Sequence, residues 1–295
     1  MKYKTAAAFR RALEERLRQQ SLEGGQLLTR LRKMVAFDRF LARLAKKDPE
    51  AWVVKGGFAL QLRLGTRART TKDIDVSMTN RWTGEETTAH IRAVASLVLG
   101  EWFEFEVGEP AEGATGAPGH GLRFPVRCLL DSRQFENFHL DVGYGDPVLE
   151  PPDVLTAPDL LAFADIAPAT VRCYRLATQV AEKLHTYTRR YASGETSRAR
   201  DLADILPAAS LQQFDNAKLR QAVEATFHAT ATHAVPREMP GPPGRLSTSS
   251  RQLARGLDLP WRTVEEAAQA ASKFMDPILE GNARSRWDPI EWKWT

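Results

Sequence analysis

The chain has 295 residues, 43% apolar and 26% charged, which supplies a real core and excludes a disordered, collagen-like or disulfide-stapled protein. No apolar run approaches the roughly 20 residues a membrane span needs, and the start MKYKTAAAFRRALEERL lacks the unbroken apolar block of a secretory signal, so a cytoplasmic protein with no membrane partner is expected. A net charge of +4 is compatible with a polyanionic partner, and the two cysteines, Cys128 and Cys173, form no metal-type pair.

Residues 5–47 place Phe9, Leu13 and Leu17, then Leu28, Leu31, Met34, Phe37, Leu41 and Leu44, at helical spacing, and Gly24-Gly25 divides them into two packing helices. Trp52-Val53-Val54 reads as a short buried strand, and Gly56-Gly57 after Lys55 favours a helix start. Asp73-Ile74-Asp75-Val76-Ser77-Met78 alternates polar and apolar, which predicts a half-buried strand. A helix is expected over 85–100 with Ile91, Val94, Ala95 and Val98 on one side. Strands follow at Trp102–Val107 and Leu122–Leu130, separated by an irregular loop rich in Gly and Pro. Phe138–Val142 reads as a short strand ended by Gly143 and Gly145.

After a Pro-rich bend at 147–158, helices are expected over 174–192 and 197–206, with Ser193-Gly194 between them. Residues 234–250 read as a linker or long surface loop, and Val264–Met275 as a helix. The tail carries Trp287, Trp292 and Trp294, read as packing rather than base stacking. The whole predicts an α+β fold. Residues 1–150 would hold N-terminal helices and a small mixed-sheet core, and residues 151–295 a helical region completing the active site.

From Trp52 to Lys72 the charges are all basic (Lys55, Arg63, Arg67, Arg69, Lys72), and the next two are Asp73 and Asp75. Two carboxylates two residues apart on a strand share a face and repel unless a cation holds them. Magnesium prefers such oxygen ligands together with phosphate, so the pair is a candidate Mg²⁺–nucleotide seat. Asp141, in Leu-Asp-Val, would be a third acid if its strand neighbours the first. Otherwise it is an ordinary strand-end acid. His139 and His185 read as structural or solvent-facing, and no nucleophile-elbow, zinc-protease or Walker motif occurs.

The series Lys55-Gly56-Gly57-Phe-Ala-Leu…Arg69-Thr-Thr71-Lys-Asp73-Ile-Asp75 resembles motif I of the nucleotidyltransferase toxins of abortive-infection (AbiE) systems. These include the mycobacterial MenT group and belong to the polymerase-β-like nucleotidyltransferase superfamily. Residues 174–205, with Glu182-Lys183 and then Arg200-Asp201-Leu-x-Asp204, resemble the downstream motifs, and the resemblance covers about 50–206. It implies a toxin with a cognate antitoxin, moving a nucleotidyl group from a pyrimidine NTP, with Mg²⁺, to the 3′ end of tRNA. Asp73, Asp75 and Asp141 would bind metal. Lys55, Gly56, Gly57, Arg69 and Thr71 would bind the nucleotide, with Arg63 a further candidate. Lys183 would contact the triphosphate, and Asp201 would assist the acceptor or orient Lys183. One departure stands out: Gly57-Phe58 replaces the Gly-Ser of the simplest superfamily signature. A small-molecule or protein acceptor, or a non-catalytic RNA-binding module, are the alternative readings.

Overall fold

A computed structural model describes residues 1–112, 121–144, 150–189, 198–241, 261 and 263–295, with the backbone alone at 198–200. The expected Ser193-Gly194 turn, Gly145, most of the Gly/Pro-rich loop, part of the 234–250 linker and the Arg200 side chain lie outside the described residues. The chain divides into two compact units. The first comprises Met1–Leu62, Thr70–Gly145 and Pro152–Cys173; the second comprises Arg63–Arg69, Asp146–Pro151 and Tyr174–Thr295. None of the described helices is long and apolar enough to cross a membrane.

The first unit is a mixed sheet with helices packed on it. Its strands are β1 (Trp52–Lys55), β2 (Asp73–Met78), β3 (Phe103–Val107), β4 (Ala111–Glu112), β5 (Gly121–Leu130), β6 (Arg133–Tyr144), β7 (Asp153–Thr156) and β8 (Thr170–Cys173). They lie in the order β3-β5-β6-β2-β1-β8-β7, and β4 adds to β5. The β2/β6 and β1/β8 pairs are parallel, and the rest are antiparallel. This is the expected α+β class with a mixed sheet.

Helices α1 (Ala6–Gly24) and α2 (Leu28–Lys47) form as the apolar spacing predicts, and Gly25 caps α1 in the left-handed conformation, φ +64°. Their Phe9, Leu13, Phe37, Phe40 and Leu41 pack with Val54, Ile74, Val76, Phe124, Leu140 and Val142 of the strands. That packing commits the alternate residues of β1, β2, β5 and β6 to the opposite face. A buried ionic group also fastens α2: Glu101 accepts from Arg39 Nη1 at 2.9 Å and from Arg43 Nη1 at 2.6 Å, and Asp38 accepts from the Ala169 amide at 2.7 Å.

Several expectations need correction. Helix α4 (Gly84–Ala95) stops before residue 100, so Val98 is 84% exposed rather than packed. The helix gives way at Ser96, and Gly100 takes φ +74°. The loop expected to be irregular includes β4, paired with Leu122 and Arg123. Strand β6 is twelve residues long rather than five, because a tight turn at Asp131 (φ +55°) and Ser132 (φ +51°) folds it back along β5. Within and after the Pro-rich bend, where only helices are expected, β7 and β8 pair antiparallel, with β7 as the edge strand.

In the second unit, helices α5 (Leu176–Thr188), α6 (Arg198–Ala209) and α8 (Val264–Glu280) occupy predicted stretches, whereas α7 (Asn216–Thr230) lies outside them. α8 starts with a capping box, Thr263 and Glu266 each bonding the other's backbone amide. The tail pairs β9 (Trp287–Asp288) with β10 (Lys293–Trp294). All three of its tryptophans donate to backbone carbonyls: Trp287 to Ala209, Trp292 to Ala270 and Trp294 to Phe274, at 2.9, 3.0 and 2.9 Å. Trp287 is fully buried, in keeping with the packing reading.

Candidate active site

Strand register assembles one row of charges across the sheet. Lys55 of β1 is paired with Asp75 of β2, Asp75 with Asp141 of β6, and Asp141 with Arg123 of β5. Paired residues leave a sheet on the same face, so two acids stand side by side with a basic residue at each end. Asp73 stands two residues before Asp75 on the same face, paired with His139. The intervening Ile74, Val76, Leu140 and Phe124 are fully buried on the helical side. The three acids singled out in the sequence therefore share one face, and β6 does neighbour β2.

Arg123 and His139 engage these acids directly. Arg123 Nη2 donates to Asp73 Oδ2 and Asp141 Oδ2 at 3.1 Å each, and its Nε lies 2.9 Å from Asp141 Oδ1. That last ion pair lacks the angle of a hydrogen bond, and both atoms are buried without a hydrogen-bond partner. His139 Nδ1 lies 3.2 Å from Asp73 Oδ1. Asp141 is 6% exposed. Burial, joined by the charges of Asp75 and Asp73 and opposed by Arg123, pushes its pKa up to about 6.

The turn from β1 into helix α3 (Gly56–Leu64) passes directly over Asp75. Gly56 has φ +62°, and a Cβ there would lie 2.7 Å from the Asp75 Cγ. Phe58, where the simplest signature has serine, is a core side chain packed edge-on against Phe37 at 5.2 Å. It offers nothing to a phosphate. Lys55 and Thr71 are nearly buried, and Thr71 Oγ1 donates to the Asp73 carbonyl at 3.2 Å. An open groove of about 900 Å³ extends from Asp73 and Arg123 past His139, Lys72 and Lys33.

Three carboxylates on one face, with Gly56 bringing backbone close to Asp75, are the type of oxygen donor a hard divalent cation prefers. Among the described residues no three His, Cys, Asp or Glu side chains are drawn together as ligands of one ion. Arg123 spans the space between Asp73 and Asp141.

The downstream motif forms a separate cluster within the second unit. Lys183 Nζ on α5 lies 3.0 Å from Asp204 Oδ2 and 3.8 Å from Asp201 Oδ1, both acids on α6. Arg69 grips Asp204 through Nε and Nη2 at 2.8 Å each. Burial acts to lower the Lys183 pKa, but Asp204 and Asp201 outweigh it and raise it. Asp204 is held below the usual carboxylate range, against its own burial, by Lys183 and Arg69. Arg63 donates to the Tyr174 carbonyl at 2.6 Å. His185 is buried and bonds Thr232 and Thr230 at 2.7 and 2.9 Å, a structural role.

Sequence reasoning missed Arg123 and set His139 aside. The signal for Arg123 was a single charge within the apolar run Leu122–Val126.

A family model described as nucleotidyl transferase AbiEii toxin, type IV toxin–antitoxin system, matches residues 39–289. The likeness thus extends well beyond residue 206 into the C-terminal third. Among solved structures, MenT4, a nucleotidyltransferase toxin from Mycobacterium tuberculosis H37Rv, is similar with a TM-score of 0.58 at 20% identity, covering 95% of this chain and 92% of that one. JHP933 from Helicobacter pylori is more distant, with a TM-score of 0.44 at 15% identity over 84% of this chain and 90% of that one. The antibiotic-resistance factor ANT(2″)-Ia has a TM-score of 0.38 at 18% identity over 68% and 93%. No curated protein matches the chain in sequence.

Proposed function

Because the chain belongs to the AbiEii family of nucleotidyltransferase toxins of type IV toxin–antitoxin systems, we propose that it transfers a nucleoside monophosphate from a pyrimidine NTP to the 3′ end of tRNA, with Mg²⁺, in the cytoplasm. The modified tRNA cannot be aminoacylated, and translation stops. The family implies an NTP substrate and a cognate antitoxin.

In this transfer the acceptor oxygen bonds to the α-phosphorus, the bond from that phosphorus to the bridging oxygen breaks, and pyrophosphate leaves. Catalysis of this kind rests on positioning and charge neutralisation. Asp73, Asp75 and Asp141 would hold Mg²⁺, which when bound neutralises triphosphate charge. Gly56 and Gly57 open α3, where backbone amides meet phosphate oxygens without side-chain obstruction. Lys55 and Thr71 bind the nucleotide, Lys55 neutralising charge on its phosphates. Asp201, beside Lys183 Nζ, orients that lysine. The groove leading from Asp73 receives the acceptor strand.

The observation that carries this reading is the row Lys55, Asp75, Asp141, Arg123, with Asp73 beside it. The test incubates the protein with total RNA and each labelled NTP in turn, with and without Mg²⁺, and resolves the products on a gel. A pyrimidine NTP should label tRNA-sized RNA only with Mg²⁺, and Asp73→Asn or Asp75→Asn should abolish the label. Unchanged labelling by Asp73→Asn would show the mechanism to be wrong.

A further inference from the structure

Three carboxylates on one sheet face repel one another when ionised. Arg123 partly relieves this, yet its fit is poor. A guanidinium meets a carboxylate best as a two-pronged fork, as Arg69 does with Asp204 at 2.8 Å on both prongs. Arg123 instead shares Nη2 between Asp73 and Asp141 at 3.1 Å each. Its Nε, although 2.9 Å from Asp141 Oδ1, makes no hydrogen bond, and both atoms are buried. A buried polar atom without a hydrogen bond makes the contact weaker than a well-formed fork. The side chain is 32% exposed and borders the open groove, so it has room to leave.

Resting on the reading of Asp73, Asp75 and Asp141 as cation ligands, we propose that Arg123 is a positioning residue, the exchangeable counter-cation of this acidic edge. It neutralises Asp73 and Asp141 in the ion-free protein and gives way when a divalent ion enters. Two effects follow. The carboxylates stay together without metal, and metal affinity is held down because each ion must displace a positive charge. A fixed structural role for Arg123 predicts the opposite: without it the carboxylates would splay and bind an ion more weakly.

The sign of one measurement separates these roles. Full-length protein is stripped with EDTA, and Mn²⁺ is titrated in without nucleotide, bound ion being read by electron paramagnetic resonance. Arg123→Gln should bind Mn²⁺ at least about tenfold more tightly than wild type, since one nearby charge acting on a divalent ion is worth this much at protein-like dielectric. Its melting temperature should fall in EDTA, and Mg²⁺ should raise it by more than it raises wild type. Arg123→Lys keeps a point charge without the fork and should fall between the two; it also serves if Arg123→Gln does not fold. Affinity no tighter than wild type in the folded variant overturns the proposal.

Asp75→Asn serves as the control for the site itself. If Asp75→Asn abolishes Mn²⁺ binding while Arg123→Gln leaves affinity unchanged, the role of Arg123 alone is refuted. If Mn²⁺ binding ignores Asp75→Asn, the acidic edge is not the ion site and both readings fall.

Discussion

Gly56 and Asp75 pack backbone against carboxylate, so that the Asp75 Cγ lies 2.7 Å from where a Cβ on residue 56 would stand. The glycine also takes φ +62°, the left-handed region disfavoured for side chains. Gly56→Ala should therefore cost about 1–3 kcal/mol in backbone strain and push the Asp75 carboxylate aside. The expected outcome is a melting temperature several degrees lower and a loss of nucleotidyl transfer far larger than the loss of folded protein. Parallel thermal melting and labelled-NTP assays check this; near-normal turnover would contradict it.

Asp141 gives the ion-free protein a defined response to pH. Its folded pKa of about 6 lies above the unfolded value of about 3.9, so the folded chain binds this proton more tightly. Its contribution to stability is full below about pH 4, is lost as pH rises to about 6, and is flat beyond. Asp141→Asn removes that loss. In EDTA at pH 7.5 the variant should be more stable than wild type, on the order of 1–3 kcal/mol, and the difference should vanish near pH 4. Denaturant unfolding across this range tests the sign.

The cluster of Lys183, Arg69, Asp201 and Asp204 responds differently. Asp204→Ala leaves two cations sharing one remaining acid and should cost about 3–5 kcal/mol. The depressed Asp204 pKa contributes stability above about pH 4 that is lost as pH falls through its folded pKa. The raised Lys183 pKa contributes stability below about pH 10 that is lost at higher pH. The gap between Asp204→Ala and wild type should thus be constant from about pH 5 to 9 and shrink in acid. Lys183→Met keeps the Arg69–Asp204 fork, so it should be milder in stability while abolishing transfer.

Trp287 lies between Phe274, Trp292 and Trp294, with ring centroids 4.8, 5.0 and 5.6 Å away. Trp287→Ala should cost about 3–5 kcal/mol and weaken the near-ultraviolet dichroism of the packed aromatics. Trp287→Phe loses chiefly the bond to the Ala209 carbonyl and should cost about 1–2 kcal/mol. An alanine variant as stable as wild type would show that the tail is not part of this core.

The Asp73–Met78 strand was readable because six alternating residues state both the conformation and the face. The row to which it belongs was not, since pairing Asp75 with Asp141 and Asp141 with Arg123 depends on register between distant segments. Strand β6 read as short because Gln134, Glu136 and Asn137 interrupt its apolar pattern, although they belong to its pairing with β5. β7 and β8 have four residues each, too few to display a period, and Arg172 stands inside β8. Lys183 looks like an ordinary solvated helix lysine until Asp201 and Asp204 of α6 are packed against it. Only the family resemblance distinguished it beforehand.

β1 lies in the middle of the sheet, yet one of its neighbours is β8, with Val54 beside Cys173. Ribosomes deliver the chain from its N-terminus, so Asp73 and Asp75 emerge long before the strand that completes their sheet. Asp204, which holds Lys183 and Arg69, is delivered later still. The sheet that carries Asp73 and Asp75, and the cluster around Asp204, therefore cannot be complete until more than half of the chain has been made.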